Sequence, residues 1–95
     1  MKGETQFKER FAPHLKCIPF SYWIKTQMMA LLGIPDYLGC VQGRFVAIEL
    51  KKDKKEKLTR IQRYVMDKIQ EAGGLTFVAY PENMDSVIRE IEQAF

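Results

Sequence analysis

Phe7, Phe11 and Leu15 recur four residues apart, and that period predicts an amphipathic helix from Glu4 to about Lys16. Pro13 falls inside the pattern, and its missing N–H predicts a kink or an early end there. Phe20 to about Gln27 is rich in aromatic and β-branched residues and reads as a strand. Met28 to Gly33 reads as a connecting loop or a single turn. Asp36 to Gln42 and Arg44 to Lys51 are strand-like runs that meet at Gln42-Gly43, a two-residue hairpin turn. After a polar loop from Lys52 to Lys57, the apolar positions Leu58, Ile61, Val65, Ile69 and Ala72 return to helical spacing. Gly73-Gly74 closes that helix. Leu75 to Tyr80 is a short apolar strand that Pro81 breaks, and Asn83 to Phe95 is a final helix with Val87, Ile88 and Ile91 as its buried stripe. The predicted order is αβββαβα, an α/β domain without internal repeats.

With 95 residues, 46% hydrophobic and 28% charged, the chain fits one globular domain over residues 1–95. Extensive disorder, a collagen-like repeat and a coiled-coil rod are excluded. A core this thin gains from dimerisation. No apolar run is long enough for a signal peptide or a membrane span, since Met28 to Ile34 is the longest. Cys17 and Cys40 lack CxxC spacing and the chain has a single histidine, His14, so a zinc site is not expected and reduced thiols in a cytoplasm are. His14 reads as a partly buried helix residue rather than a catalytic base.

The net charge of +3 is concentrated in one place. Lys51 to Lys57 holds five lysines and two acids, which equals the whole excess. A basic loop on a neutral body is either a solvated loop or a docking site for a polyanion, with Lys52, Lys54, Lys55 and Lys57 meeting phosphates in the second case. Lys25 on the first strand has the same two readings. Its neighbours Tyr22 and Trp23 are read as core packing, with stacking on nucleic acid as the other reading.

The hairpin carries the chemistry. If Gln42 and Gly43 form the turn, Asp36 lies across from Glu49, and alternation puts both on the face that also carries Lys51. Two carboxylates that close repel one another. A shared Mg²⁺ or Mn²⁺ resolves the repulsion, since such ions take oxygen ligands from one or two carboxylates, waters and a substrate phosphate. A lysine beside them offsets charge building on a phosphate. The other resolution is structural, with Lys51 bridging the two acids in a surface ion network. A slip of one residue in the register would turn Asp36 away.

Gly33-Ile34-Pro35-Asp36, a short hairpin, Ile48-Glu49-Leu50-Lys51 thirteen positions after Asp36, and Gln62 eleven beyond the lysine together resemble the PD-(D/E)xK nuclease superfamily. More closely they resemble the small stand-alone VRR-NUC nucleases of phages and bacteria. The resemblance covers most of the chain. It implies a restriction-endonuclease-like core, a mixed sheet of about four strands flanked by helices. It further implies a Mg²⁺- or Mn²⁺-dependent deoxyribonuclease in the cytoplasm of a bacterial or phage-infected cell. In that reading Asp36, Glu49 and the carbonyl of Leu50 hold the metal, and Lys51 positions or activates the attacking water.

An acidic residue of the first helix often completes the set. Glu4, three residues before Phe7, shares the inward stripe and is preferred over Glu9, although either fits a first-turn glutamate favoured by the helix dipole. Gln62 matches a polar helix residue near the site, and with Thr59 it also fits a capping box. The resemblance leans towards a homodimer, which suits junction resolution, whereas a monomer suits nicking or flap cleavage. The competing functions are a non-catalytic DNA-binding module and an interaction subunit that keep the fold.

Overall fold

The computed structural model describes residues 2–26 and 32–94, the side chains of residues 2–6 excepted. Most of the segment from Met28 to Gly33 therefore lies outside the described residues, as do Gln27 and Phe95. The elements are α1 (Lys2–Lys16), β1 (Ser21–Lys25), β2 (Tyr37–Val41), β3 (Arg44–Leu50), α2 (Arg60–Glu71), β4 (Leu75–Ala79) and α3 (Met84–Gln93). A single 3₁₀ turn, Pro81–Asn83, leads into α3. The order αβββαβα is the one the periodicities predict.

The hairpin turn sets the register. Gln42 (φ 49°) and Gly43 (φ 87°) both take left-handed backbone, as a type I′ turn requires. Glycine does so freely, whereas Gln42 accepts a cost of roughly 1 kcal/mol. Val41 then pairs with Arg44, and the ladder runs to Tyr37 opposite Ile48. β1 adds antiparallel to β2, and β4 adds parallel to β3 through the α2 crossover, so the mixed sheet is ordered β1-β2-β3-β4.

Strand β3 lies inside the sheet and is buried on both faces from Val46 onward. One face presents Tyr37, Val41, Val46, Ile48, Leu50 and Ala79 to α1 and α3, where Phe7, Phe11, Leu15, Val87 and Ile91 complete the core. Phe7 and Phe11 meet edge to face with ring centroids 5.8 Å apart. Each such side chain contributes about 1.5–3 kcal/mol when fully buried.

Several local expectations give way to tertiary context. Helix α1 does not end early at Pro13 but runs to Lys16, the bound expected of it, and the ring sits in an exposed last turn. The carbonyl it deprives of a donor belongs to Glu9, an exposed residue whose backbone water can reach. His14 is exposed rather than partly buried. The stripe of α2 is only half covered: Met66 is its buried residue, while Ile61 stays 46% exposed. Among the described residues the helix packs chiefly over β4 rather than over β1 and β2. Tyr22, expected in the core, is accordingly 70% exposed, whereas Trp23 on the opposite face lies over Gly39 and packs against the core.

The ends of α2 follow their sequence signals. Thr59 accepts from the Gln62 N–H (3.1 Å), and Gln62 Oε1 accepts from the Thr59 N–H (2.9 Å), a reciprocal capping box. At the other end Gly73 (φ 95°) lets its N–H reach the Gln70 carbonyl and the Gly74 N–H reach that of Ile69, a Schellman close. No helix among the described residues is long and apolar enough to cross a membrane.

Candidate metal centre

The centre forms where the chain bends into β2. Thr26 holds the bend: its N–H donates to the Asp36 carbonyl (2.9 Å) and its hydroxyl to that of Pro35 (2.6 Å). Pro35 is fully buried, so the bend is packed as well as bonded. Asp36 is thereby delivered to the end of β3, where its Oδ2 accepts from the Leu50 N–H (2.7 Å). Glu49, the residue expected across from it, is only 6% exposed.

Burial pushes the Glu49 carboxyl up to about 8, and a hydrogen bond with Asp36 and the charge of Asp36 add to the effect. The ammonium groups of Lys51 and Lys8 pull the other way without winning. Two acids thus share one partly dry place, and one of them keeps its proton near neutral pH. Among the described residues no group of three or more His, Cys, Asp or Glu comes together. A pair of carboxylates nonetheless fits Mg²⁺, which commonly keeps several waters and takes one or two carboxylates. Leu50 lies between the two acidic positions in the bonding just described, with its N–H committed to Asp36. The side chain of Glu4 lies outside the described residues, and Glu9 is exposed.

Lys51 is 5% exposed, unusual for a lysine, and its ammonium has defined partners. Its Nζ donates to Gln62 Oε1 (2.8 Å) and lies 3.8 Å from Glu56 Oε2. Its own N–H donates to the Ala79 carbonyl, which ties the residue to the end of β4 (2.8 Å). Lys51 thus does not bridge the two acids as a surface ion network would have it. Gln62 forms the expected capping box and also lies within reach of Lys51 and Glu49. Its Oε1 takes the cap and the lysine, and its Nε2 points to Glu49 Oε2 at 3.4 Å, a long hydrogen bond.

Two participants carry no signal in the pattern of the sequence. Lys8 reaches from α1 to Asp36, with Nζ 3.6 Å from Oδ1. It flanks the Phe7–Phe11–Leu15 stripe, and only the docking of α1 on the sheet brings it to the site. Glu56 is hidden in the lysine run. It partners Lys51, and its Oε1 accepts from the Lys52 N–H (2.9 Å). Asp53 accepts from the N–H groups of Lys55 and Glu56, so the two acids of the run build the loop. Its lysines Lys52, Lys54, Lys55 and Lys57 are exposed, immediately after Lys51. Lys25 is exposed at the end of β1, paired with Tyr37, the residue after Asp36.

Asp36 thus enters a hairpin whose second strand carries Glu49-Leu50-Lys51, and a capped crossover helix follows. The chain is similar to a solved structure described as a VRR_NUC domain, with a TM-score of 0.77 over 92% of this chain and 95% of that one. The two share 20% sequence identity, a likeness of fold, and the chain has the VRR_NUC fold. No protein-family model and no curated protein matches it.

Proposed function

We propose that this chain is a divalent-metal-dependent DNA endonuclease, formed as one domain over residues 1–95. The observation that carries the reading is the end of β3. There a buried Glu49 stands against Asp36, and a buried Lys51 is fixed by the same glutamine that reaches Glu49. Burying an acid and a lysine beside a second, half-buried acid is costly for stability, and such clusters gather where chemistry needs them.

Asp36 and Glu49, with the Leu50 carbonyl and Glu4, would hold Mg²⁺ or Mn²⁺, which supplies Lewis-acid activation of a phosphate and a bound water of lowered pKa. Lys51 holds its ammonium where the attacking water and the charge developing on phosphorus need it. Gln62 fixes that ammonium, and Glu56 limits how far it can swing. Lys52, Lys54, Lys55, Lys57 and Lys25 take flanking phosphates, contacts that position the strand without reading its bases.

The further parts of the reading are branched or junction DNA as substrate, a homodimer, and work in the cytoplasm of a bacterial or phage-infected cell. The exposed side chains of Tyr22, Ile24, Phe45, Ile61 and Tyr64 favour the dimer, since they leave an apolar surface beside α2 that a second copy would cover. Sedimentation of the purified chain at micromolar concentration tests it, and a monomer there removes that part.

Cleavage of labelled linear duplex, single strand, flap, four-way junction and supercoiled plasmid tests the whole. Mg²⁺, Mn²⁺ and EDTA are compared, with Asp36→Ala as control. Metal-dependent cutting that Asp36→Ala loses is the expected result. Binding without cutting under every condition would make the protein a DNA-binding module instead.

A further inference from the structure

A second feature shares only Lys25 with the metal and DNA contacts proposed above. A cavity of about 430 Å³ opens between the C-terminal half of α1 and β1, in the size range of small-ligand sites. Ala12 and Lys16 line it from the helix, Trp23 and Lys25 from β1, and Tyr37 from β2. The Trp23 ring is held in place from two sides, by Gly39 beneath it and by its Nε1–H, which donates to Ser21 Oγ (3.0 Å). Tyr37 is 4% exposed, and its hydroxyl is buried with no hydrogen-bond partner. Buried hydroxyls are nearly always satisfied, so an orphan on a side chain that lines a cavity calls for a partner from outside. Lys16 and Lys25 are exposed at the rim, and neither forms an ion pair among the described residues.

The cavity neighbours the Asp36 end of the site, and Tyr37 feels the charges of Asp36 and Lys8. Tyr37 follows Asp36 in the chain, Lys25 pairs with Tyr37 across the ladder, and Ala12 lies one helical turn after Lys8, the partner of Asp36. A fixed aromatic ring, an unmet hydroxyl and two lysines at the rim match one ligand chemistry, a flat heteroaromatic ring carrying polar edges and joined to phosphates. We propose that this cavity receives one unpaired nucleobase of the DNA strand that runs through the metal centre, stacked on Trp23, with its neighbouring phosphates on Lys16 and Lys25. The inference rests on the nuclease reading and sharpens its substrate class. A base in a continuous duplex is stacked and paired, so it cannot enter without a cost that a flap, a junction arm or a single strand does not carry. The pocket selects strands with an unstacked nucleotide next to the scissile phosphate.

Trp23 is the one tryptophan of the chain, so its emission reports on this cavity alone. The full chain is titrated, in EDTA, with a labelled duplex bearing a single-stranded thymidine arm and with the same duplex bearing an abasic arm. DNA anisotropy and Trp23 fluorescence are read together. The thymidine arm is expected to change Trp23 emission in step with binding, while the abasic arm binds several-fold more weakly and leaves emission unchanged. Lys25→Ala, an exposed substitution, is expected to weaken the thymidine-arm complex more than the abasic one.

Tyr37→Phe separates ligand binding from structure. Removing an orphan hydroxyl leaves the melting temperature equal or higher, yet the preference for thymidine over abasic arms should fall. An equal emission change with both arms, or binding with none, overturns the proposal. Cleavage of the same substrates with Mg²⁺ distinguishes the two readings: cutting with Trp23 silent sinks the pocket alone, and DNA neither bound nor cut sinks both.

Discussion

Glu49 is where the site pays for itself in stability, and that makes it the residue to titrate. An unfolded glutamate releases its proton near 4.5, whereas in the metal-free fold Glu49 holds its proton up to about 8. Between those values the unfolded chain gains by ionising and the folded one does not. This part of the stability is therefore full below about 4.5, falls as pH rises to about 8 and is flat beyond, a swing on the order of a few kcal/mol. Melting of the metal-free protein from pH 5 to 9 should show that loss, and Glu49→Gln should remove it. Mg²⁺ should raise the melting temperature more at pH 8 than at pH 6, because it displaces the Glu49 proton. A wild-type pH profile in Glu49→Gln would assign the loss to other groups.

Lys51 and Gln62 are separable at the same scale. Lys51→Met keeps the buried stem, so cleavage should fall by roughly 10²–10³-fold with little change in melting. Gln62→Glu keeps an N3 acceptor for the Thr59 cap but loses the donor facing Glu49 and adds a third carboxylate. Its helix content should hold while cleavage drops, a result that circular dichroism and a cleavage assay would show together. The Asp36–Glu49 pair was legible in the sequence because a Gln-Gly turn admits one register for the whole hairpin. Lys8 and Glu56 were not legible, since each arrives by tertiary approach, one through the docking of α1 and the other through a loop that its own acids fold. The other reading of the triad, a lysine bridging two acids, fails on the same account: Lys51 finds Gln62 and Glu56 nearer.

At the scale of elements, the bend before β2 and the start of α2 form one joint. Gly33 adopts φ 78°, and a Cβ there would press on the Ile61 side chain and come within 3.0 Å of its backbone. The glycine of the Gly33-Ile34-Pro35-Asp36 stretch thus lets α2 sit close enough for Gln62 to reach Lys51. Gly33→Ala adds left-handed strain of about 1–2 kcal/mol to that clash, so the melting temperature should fall by about 4–8 °C or more. Cleavage should fall further than unfolding accounts for at the assay temperature, as Gln62 moves with the helix. Calorimetry beside a cleavage assay checks both, and activity loss that merely tracks the unfolded fraction would uncouple the joint from the site. Helix periods, the turn and the caps were all readable along the chain because each is a local pattern. The stripe of α2 was less readable, because whether a helix face is covered depends on neighbours distant in sequence. Tyr22 belongs to the same class, a strand residue whose face α2 covers chiefly over β4.

The whole molecule presents its charge on one side of its chemistry. Four exposed lysines follow Lys51 within six residues, on a loop that Asp53 and Glu56 hold in shape, while the remaining charges of the chain balance. Each lysine seated on a phosphate releases a counterion, which steepens the dependence of log affinity on log salt by about 0.9 for duplex DNA. In Lys54→Ala/Lys55→Ala/Lys57→Ala the slope should flatten by up to about 2.7, with affinity falling at low salt and converging on wild type at high salt. Folding should be unaffected, because these side chains are exposed and the bonds that shape the loop come from backbone N–H groups and the two acids. Fluorescence anisotropy on a non-cleavable duplex between 50 and 300 mM salt, with Ca²⁺ in place of Mg²⁺, measures the slope directly. A wild-type slope in the triple variant would mean that the loop is merely solvated and that the strand follows another path to Asp36, with Lys25 and Lys16 as the cations left beside it.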